Sequence, residues 1–460
     1  MSTTTTTTIN PTTGENLATY DDHSDAEVTQ IVDDAQAAFE VWRRRTPSER
    51  ANVIRRIGEL LRERSGDIAK IMTDEMGKVL AHGEREVALC AGICDWTADN
   101  AADELADEDR PLDGGRAIVS YQPVGIIYGI QPFNFPAYQA IRYSIPQLVA
   151  GNAVLLKHAH SVRGSALMLE QLYHDAGVPK NLFRVVRISN DQSNELIADP
   201  LVRGVTLTGS GSAGSIVAAQ AGKHLKKSVM ELGSNDAYLV LSDADIPTAV
   251  KVCTTARIYN NGETCVAAKR FVVVDAVYDA FRDAFVEQLR GVEMGDPNDE
   301  STGLGPMARE DLRDDLHEQV TKSVAAGATL TLGGEVPDRP GFLYPATVLE
   351  DVQPGMPAYD DELFGPVASI IRVADDAEAM RVANDSRFGL GGGIISKNVD
   401  RAIELARDEF DTGMININGY NLANPHLPFG GVKDSGYGRE HGGFGIKEFV
   451  NVKSIAVTDS

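Results

Sequence analysis

The chain has 460 residues, 43% of them hydrophobic, and a formal net charge of −24, a length that calls for two or three packed units and not one small core. The acidic excess, carried by runs such as DDHSDAE from Asp21 and ADEDRPLD from Ala106, excludes nucleic acid as a natural partner, and no stretch approaches the roughly 20 apolar residues that span a bilayer. The four cysteines, Cys90, Cys94, Cys253 and Cys265, do not form a disulfide framework, so a reducing, cytoplasmic compartment is expected. An acidic surface poor in lysine suits a high-salt, halophilic cytoplasm, where screening removes self-repulsion; an ordinary acidic enzyme is the alternative.

Thr3 to Thr8 lack the charged start, apolar centre and cleavage site of a signal peptide and read as a mobile tail. Ser24 with Glu27 forms a capping-box pattern, after which Val28, Ile31, Val32, Ala35, Phe39 and Trp42 fall on one helical stripe. Thr46, Pro47 and Glu49 open a second helix, and further helix is expected toward Asn100. Cys90 and Cys94 sit four apart on that helix with no cluster to complete a ligand set, so they read as core and no metal is expected. Beyond the turn signal LDGG, RAIVSYQPVGIIYGI is strand-like. Strands and helices then alternate: AVLLK, a helix from Ser165, RVV, a helix from Gln192, GVTLT and a helix from Ser212. A second alternating block begins at AYLVL and continues through a helix over 246–259, RFVVV and a helix over 278–289. This rhythm predicts parallel sheets covered by helices, with a boundary near residue 233.

Directly after GVTLT, the run GSGSAG places Gly209, Gly211 and Gly214 in a G-x-G-x-x-G pattern that ends with helix. It offers a tight turn and free amides where a pyrophosphate can sit, although many glycine turns hold no ligand. Glu231, in MELGS, lies near the distance at which a dinucleotide fold seeks a ribose-binding carboxylate. It could equally be a general base, and spacing does not choose. In NNGETCVAAKR, Cys265 follows a glycine turn. It is either a nucleophile or a small buried hydrophobe. Asn134, between Pro132 and Pro136, can donate to a developing oxyanion without titrating, or simply satisfy its own turn.

Together these windows resemble the aldehyde dehydrogenase superfamily from about Ile9 to Lys453, through PFNFP, LLKHA, TGS, MELGS, NNGETC, ELFGPV, NDSRFGL and PFGGVKDSGYGRE in order. Within it, LLKHA, DAGVP, LGPMAR and CVAAKRF are most similar to short-form succinate-semialdehyde dehydrogenases. The resemblance implies an α/β fold with a Rossmann-type dinucleotide-binding domain (1–103 and 124–233), an α/β catalytic domain (234–445) and a small β oligomerisation extension (104–123 and 446–460). It also implies a homo-dimer or homo-tetramer, NAD or NADP as cofactor and a small aldehyde as substrate. Residue by residue, Cys265 matches the nucleophile, Glu231 the base that activates water, and Asn134 the oxyanion donor. Lys157 matches the lysine at the adenosine ribose, Gly209, Ser210 and Gly214 the phosphate turn, Glu362 the nicotinamide-ribose ligand, and Phe364 the ring beside the nicotinamide. Glu440 matches a second carboxylate sometimes assigned to proton relay.

Some positions depart from the pattern. His160 stands where NAD-specific relatives carry a glutamate, which removes repulsion against a 2′-phosphate and would admit NADP. Glu263 replaces a usual glutamine; near the thiol it would raise the thiol pKa, unless it points to solvent. Arg142 corresponds to an arginine that binds the substrate carboxylate in the longer succinate-semialdehyde enzymes, whereas their second arginine corresponds to Asn260, placed here at the pocket edge. Asn424 could supply a neutral hydrogen bond. The implied function is oxidation of succinate semialdehyde to succinate; the alternatives are another small aldehyde or a non-catalytic structural relative.

Overall fold

The computed structural model describes residues 5–458. Thr5–Ile9 pairs antiparallel with Asn16–Asp21, which corrects the expectation of a mobile tail: Thr7 Oγ1 lies 3.0 Å from Thr19 Oγ1 across the hairpin, and β-branched side chains favour this geometry. Thr3 and Thr4 lie outside the described residues. Asp25–Trp42 begins with the full capping box of Ser24 and Glu27, and Pro47–Glu63 with that of Thr46 and Glu49. The stripe from Ile31 to Trp42 is buried, and Cys90 and Cys94 are in the same core. No described helix is long and apolar enough to cross a membrane.

Two predominantly parallel sheets organise the chain. In the first the order is Gly436–Tyr437, Lys227–Glu231, Val202–Thr208, Ile126–Gln131, Ala153–His158 and Phe183–Val185, with only Gly436–Tyr437 antiparallel. The chain order reverses between Ile126–Gln131 and Val202–Thr208, a topological switch point whose carboxyl ends open a crevice. Asn134 follows one of these strands and the glycine turn the other. The second sheet runs Thr329–Leu332, Thr347–Glu350, Val367–Val373, Arg270–Val274, Ala237–Val240, Gly392–Ile395 and Asn416–Ile417, antiparallel only at its first strand. Their central strands are buried on both faces, which is why they read as unbroken apolar runs.

The strand-like run from Arg116 to Ile130 divides into two. Gly115–Pro123 joins a three-stranded antiparallel sheet with Glu108–Arg110 and Val450–Thr458, whereas Ile126–Gln131 enters the first parallel sheet. Gly125, at φ +139, makes the break between them, a conformation open to glycine.

Candidate active site

The loop that carries Cys265 is built on three successive residues with positive φ: Asn260 at 57°, Asn261 at 57° and Gly262 at 75°. Asparagine tolerates this region better than most side chains, and here both side chains are used. Asn261 Nδ2 donates to Gly77 O and Pro306 O at 2.9 Å, and its Oδ1 accepts from Gly305 N. Asn260 Nδ2 donates to Asn134 O at 2.9 Å and Glu263 O at 3.0 Å. A Cβ on Gly262 would come 2.4 Å from the Gly365 carbonyl carbon, so both conformation and space demand glycine. Asn260 is therefore fully buried wall, and its expected place at the pocket edge is corrected.

Glu263 is corrected likewise. Its side chain is fully buried and accepts from Ala308 N at 3.1 Å, so it does not point to solvent. Burial raises its carboxyl to about 8, against the opposing pull of the Ala308 amide, Lys78 and Arg309. A carboxyl whose folded value exceeds its unfolded one stabilises fully below the unfolded value, near 4.5, and that contribution is lost as pH rises toward 8. Glu263→Gln, which is uncharged at every pH, should be more thermostable than the parent at about pH 8. The gap should close toward about pH 5, changing by at most about 1.4 kcal/mol per pH unit. Parallel Tm profiles for the two proteins would show that Glu263 does not change charge on folding.

Cys265 is partly exposed, beside a small apolar cluster of Val266, Leu390 and Phe429. Burial pushes its thiol up to about 12; Arg142 and Lys269 pull it down, while Glu362 and Glu231 push it further up. Asn134, buried at the end of the PFNF turn, donates from Nδ2 to Glu263 O at 3.0 Å, which orients the amide and leaves its second N–H available. Its backbone carbonyl also accepts from Lys78 Nζ at 2.9 Å. Lys78 is fully buried, ion-paired with Glu86, and 4.0 Å from the Phe135 ring centroid. Glu86 Oε1 in turn accepts from Ala137 N and Tyr138 N at 2.8 Å, at the first turn of helix Pro136–Ala150.

Glu231 is the last residue of Lys227–Glu231, paired with Thr208 in the neighbouring strand. It is buried, and neither carboxylate oxygen has a hydrogen-bond partner among the described residues. Burial holds it well above the usual carboxylate range; Arg142 opposes this and Glu440 reinforces it. Gly430, at φ +149, passes so close that a Cβ would lie 2.7 Å from Glu231 Oε1. Arg142 is buried with its Nε against Glu440, and its Nη2 donates to Thr208 Oγ1 at 2.7 Å. Neither Nε nor Nη1 has a hydrogen-bond partner among the described residues, and of the two only Nε is held in the ion pair with Glu440. Asn424 Oδ1 accepts from His426 N at 3.0 Å within its own turn, in the loop whose Leu422 and Ala423 pack on the apolar cluster beside Cys265.

A cleft of about 720 Å³ lies beside the first sheet, lined by Ser210, Gly214, Leu232, Glu362 and Phe388 among others. Ser210 caps helix Gly211–Lys223 by accepting from Ala213 N at 3.3 Å. A Cβ on Gly214 would come 2.4 Å from Leu232, so glycine is needed where helix packs against strand end. Gly209 carries no such demand, its nearest approach being an ordinary 3.6 Å. A helix N-terminus at a crevice of this size, at the carboxyl ends of parallel strands, fits a dinucleotide. Phe364 packs edge-on to Phe133 at 6.3 Å between centroids, with Ala159 and Val162 in the same cluster. Lys157 is buried and lowered by desolvation, then by Arg163. His160 is exposed, its Nδ1 3.0 Å from Arg163 Nη2, and Arg163 pairs with Asp22 at 2.5 Å.

Several polar groups of the site escape the sequence reading. Lys78 and Lys269 are charges in the interior, and an isolated lysine in sequence is presumed solvated. Tyr138 and His441, joined at 3.0 Å behind Arg142, meet across 303 residues of chain.

Two predominantly parallel α/β sheets, a cleft at strand carboxyl ends and a partly exposed cysteine are the features of an enzyme of the dehydrogenase class. The chain belongs to the aldehyde dehydrogenase family, whose profile matches residues 1–455. It is 44% identical to the succinate-semialdehyde dehydrogenase [NADP(+)] of Deinococcus radiodurans, over 97% of this chain and 94% of that one. It is 42% identical to the succinate semialdehyde dehydrogenase [NAD(P)+] Sad of Escherichia coli, over 97% and 96%. Among solved structures, the Streptococcus pyogenes succinic semialdehyde dehydrogenase in complex with NADP+ superposes with a TM-score of 0.96 at 38% identity, covering 98% of this chain and all of that one.

Proposed function

We propose that the protein oxidises succinate semialdehyde to succinate with NADP or NAD. The observation that carries this reading is the pairing of a partly exposed Cys265 with Glu231, a buried carboxyl with no competing hydrogen bond, in a chain more than 40% identical to succinate-semialdehyde dehydrogenases over nearly its whole length. Cys265 thiolate attacks the aldehyde carbon, forming a C–S bond as the carbonyl electrons move onto oxygen. The second N–H of Asn134 and the Cys265 amide receive that oxyanion. A bound oxidised nicotinamide supplies the acceptor for the hydride that leaves the same carbon. Glu231 then takes a proton from water, whose oxygen adds to the thioester; the C–S bond breaks and the thiolate is restored with the acid as product. Ser210, Gly209 and Gly214 would hold the pyrophosphate, Glu362 and Phe364 the nicotinamide end, and Lys157 and His160 the adenosine ribose. With histidine and not glutamate at position 160, and with Lys157 and the Asp22-paired Arg163 adjacent, a 2′-phosphate is spared the repulsion that a carboxylate at that position would impose.

Arg142 is the residue assigned to the substrate carboxylate, through the Nη1 that its ion pair leaves free, with Asn424 at the loop beyond. The comparison of kcat/KM for succinate semialdehyde, glutarate semialdehyde and propanal, each with NAD and NADP, tests this. Succinate semialdehyde should lead propanal by at least about tenfold, since a charge-assisted bond to a buried guanidinium is worth roughly 1.5–3 kcal/mol. Equal values would remove the role of Arg142.

The segments 104–123 and 446–460 are assigned to assembly into a homo-dimer or homo-tetramer. Val450–Thr458 is an edge strand exposed along nearly its whole length, with Val452, Ile455 and Val457 uncovered. An exposed apolar edge of this length is covered in soluble proteins by pairing.

A further inference from the structure

The site contains a buried cation that the scheme above leaves without a task. Lys269, four residues beyond Cys265, is 1% exposed at its side chain. Its Nζ donates to Cys265 O at 2.6 Å and Thr264 O at 3.2 Å, and lies 3.2 Å from Glu362 Oε1. Its backbone is fixed as firmly: Lys269 N donates to Asp236 O at 3.0 Å, and Lys269 O accepts from Ser369 N at 3.0 Å. The ammonium therefore stands on a rigid strand end, between the carbonyls of the nucleophile loop and a carboxylate that lines the cleft.

We propose that Lys269 is a positioning residue that ties Glu362 to the nucleophile loop, one ammonium serving both to hold the Cys265 carbonyl in place and to favour the thiolate form of its side chain. The proposal rests on the reading of Cys265 as nucleophile and Glu362 as cofactor ligand. Two of the lysine's three donors fix successive carbonyls of the loop, and the ammonium is ion-paired with Glu362. Glu362 is the more exposed partner, with 20% of its side chain accessible, and its other oxygen packs on Gly233, where a Cβ would lie 2.7 Å away. Removing the ammonium would leave Glu362 without its ion pair and two carbonyls of the loop without their donor, and would remove one of the two cations acting on the thiol.

The charged and titratable groups facing Cys265 come from every element around it. They are Arg142 and Tyr138 on helix Pro136–Ala150, Glu231 at the end of its strand, Lys269, Glu362, and Tyr420. Arg142 is paired with Glu440 and Lys269 with Glu362. An opposite charge within about 4–6 Å of a titrating group moves its titration by about one pH unit or more.

The rate of Cys265 alkylation by iodoacetamide, followed against pH in protein without cofactor, tests the proposal, because alkylation reads the thiolate fraction directly. In Lys269→Met the midpoint should rise by about one pH unit, slowing alkylation roughly tenfold at any pH below both midpoints. Lys269→Arg, which keeps the charge, should restore most of that loss. Glu362→Gln should shift the midpoint down, and the size of that shift should change when combined with Lys269→Met. Should Lys269→Met fail to fold, the Lys269→Arg and Glu362→Gln profiles still decide, and a Glu362→Gln midpoint equal to the parent's overturns the coupling. If alkylation inactivates the enzyme but the midpoint is the same in Lys269→Met, Lys269 has only a packing role. If alkylation of Cys265 leaves turnover intact, the reading of the whole site fails instead.

Discussion

Cys265→Ala should lose aldehyde oxidation by at least on the order of 10⁴-fold, because the proposed route passes through a bond to its sulfur and closes with it. The remaining cysteines cannot substitute. Cys90, Cys94 and Cys253 are buried, and burial pushes all three thiols far up. The variant should still bind NADPH, measured by quenching of protein fluorescence or by the nucleotide's own emission, because Cys265 is not among the residues that line the cleft. It should also fold, since Cys265 is only partly buried and its removal opens little space. Turnover retained above about one hundredth of the parent's would mean that Cys265 is not the nucleophile, and the proposed chemistry would have to be rebuilt around another group.

Glu231→Gln should lower steady-state turnover by roughly 10²–10⁴-fold, the span that general-base catalysis supplies, while sparing the first half of the reaction. A single burst of NADPH, one per active subunit, should precede the slow phase, and mass spectrometry should find the acyl group on Cys265. Glutamine is close in size and uncharged, so it also removes an unpartnered buried carboxyl; the variant should be no less stable than the parent. The pH dependence follows from the same burial. A base is active when deprotonated, and Glu231 is held above the usual carboxylate range, so deacylation by the parent should increase with pH from acid to mildly alkaline conditions. Glu231→Gln should lose that limb. A large fall in cofactor affinity, with the burst lost, would instead identify Glu231 as a ribose ligand. Its position argues for the base: it meets Arg142, Glu440 and Gly430, whereas Glu362 lines the cleft.

Much of this arrangement is legible in the chain because it is local. The capping boxes at Ser24 and Thr46 are four-residue patterns, and the helices that follow them begin where the patterns place them. The glycine turn is equally local: strand, turn and helix are contiguous from Val202 to Lys223, so the free amides at its start can be inferred without the rest of the fold. The Thr5–Ile9 strand was not legible, because a threonine run looks like a polar tail until its partner Asn16–Asp21 is known. Gly115–Pro123 and Ile126–Gln131 looked continuous for a related reason: both are apolar and β-branched, and only their partners reveal that they belong to different sheets.

The charges of the site show the same division more sharply. Residue type and order identify Cys265, Glu231 and Asn134 as candidates, because thiol, carboxylate and amide chemistry belong to side chains and persist in any fold. Whether Glu263 faces water or Ala308, whether Asn260 rims the pocket or braces Asn134, and which carboxylate stands against Arg142 and which against Lys269 depend on contacts across tens to hundreds of residues. Desolvation and Coulomb interaction act through space and not along the chain. The sequence alone thus determined the family, the alternating α/β plan and the candidate reactive groups; tertiary structure decided which of those groups are buried, which are paired, and that the lysine four residues past Cys265 contacts both its carbonyl and Glu362.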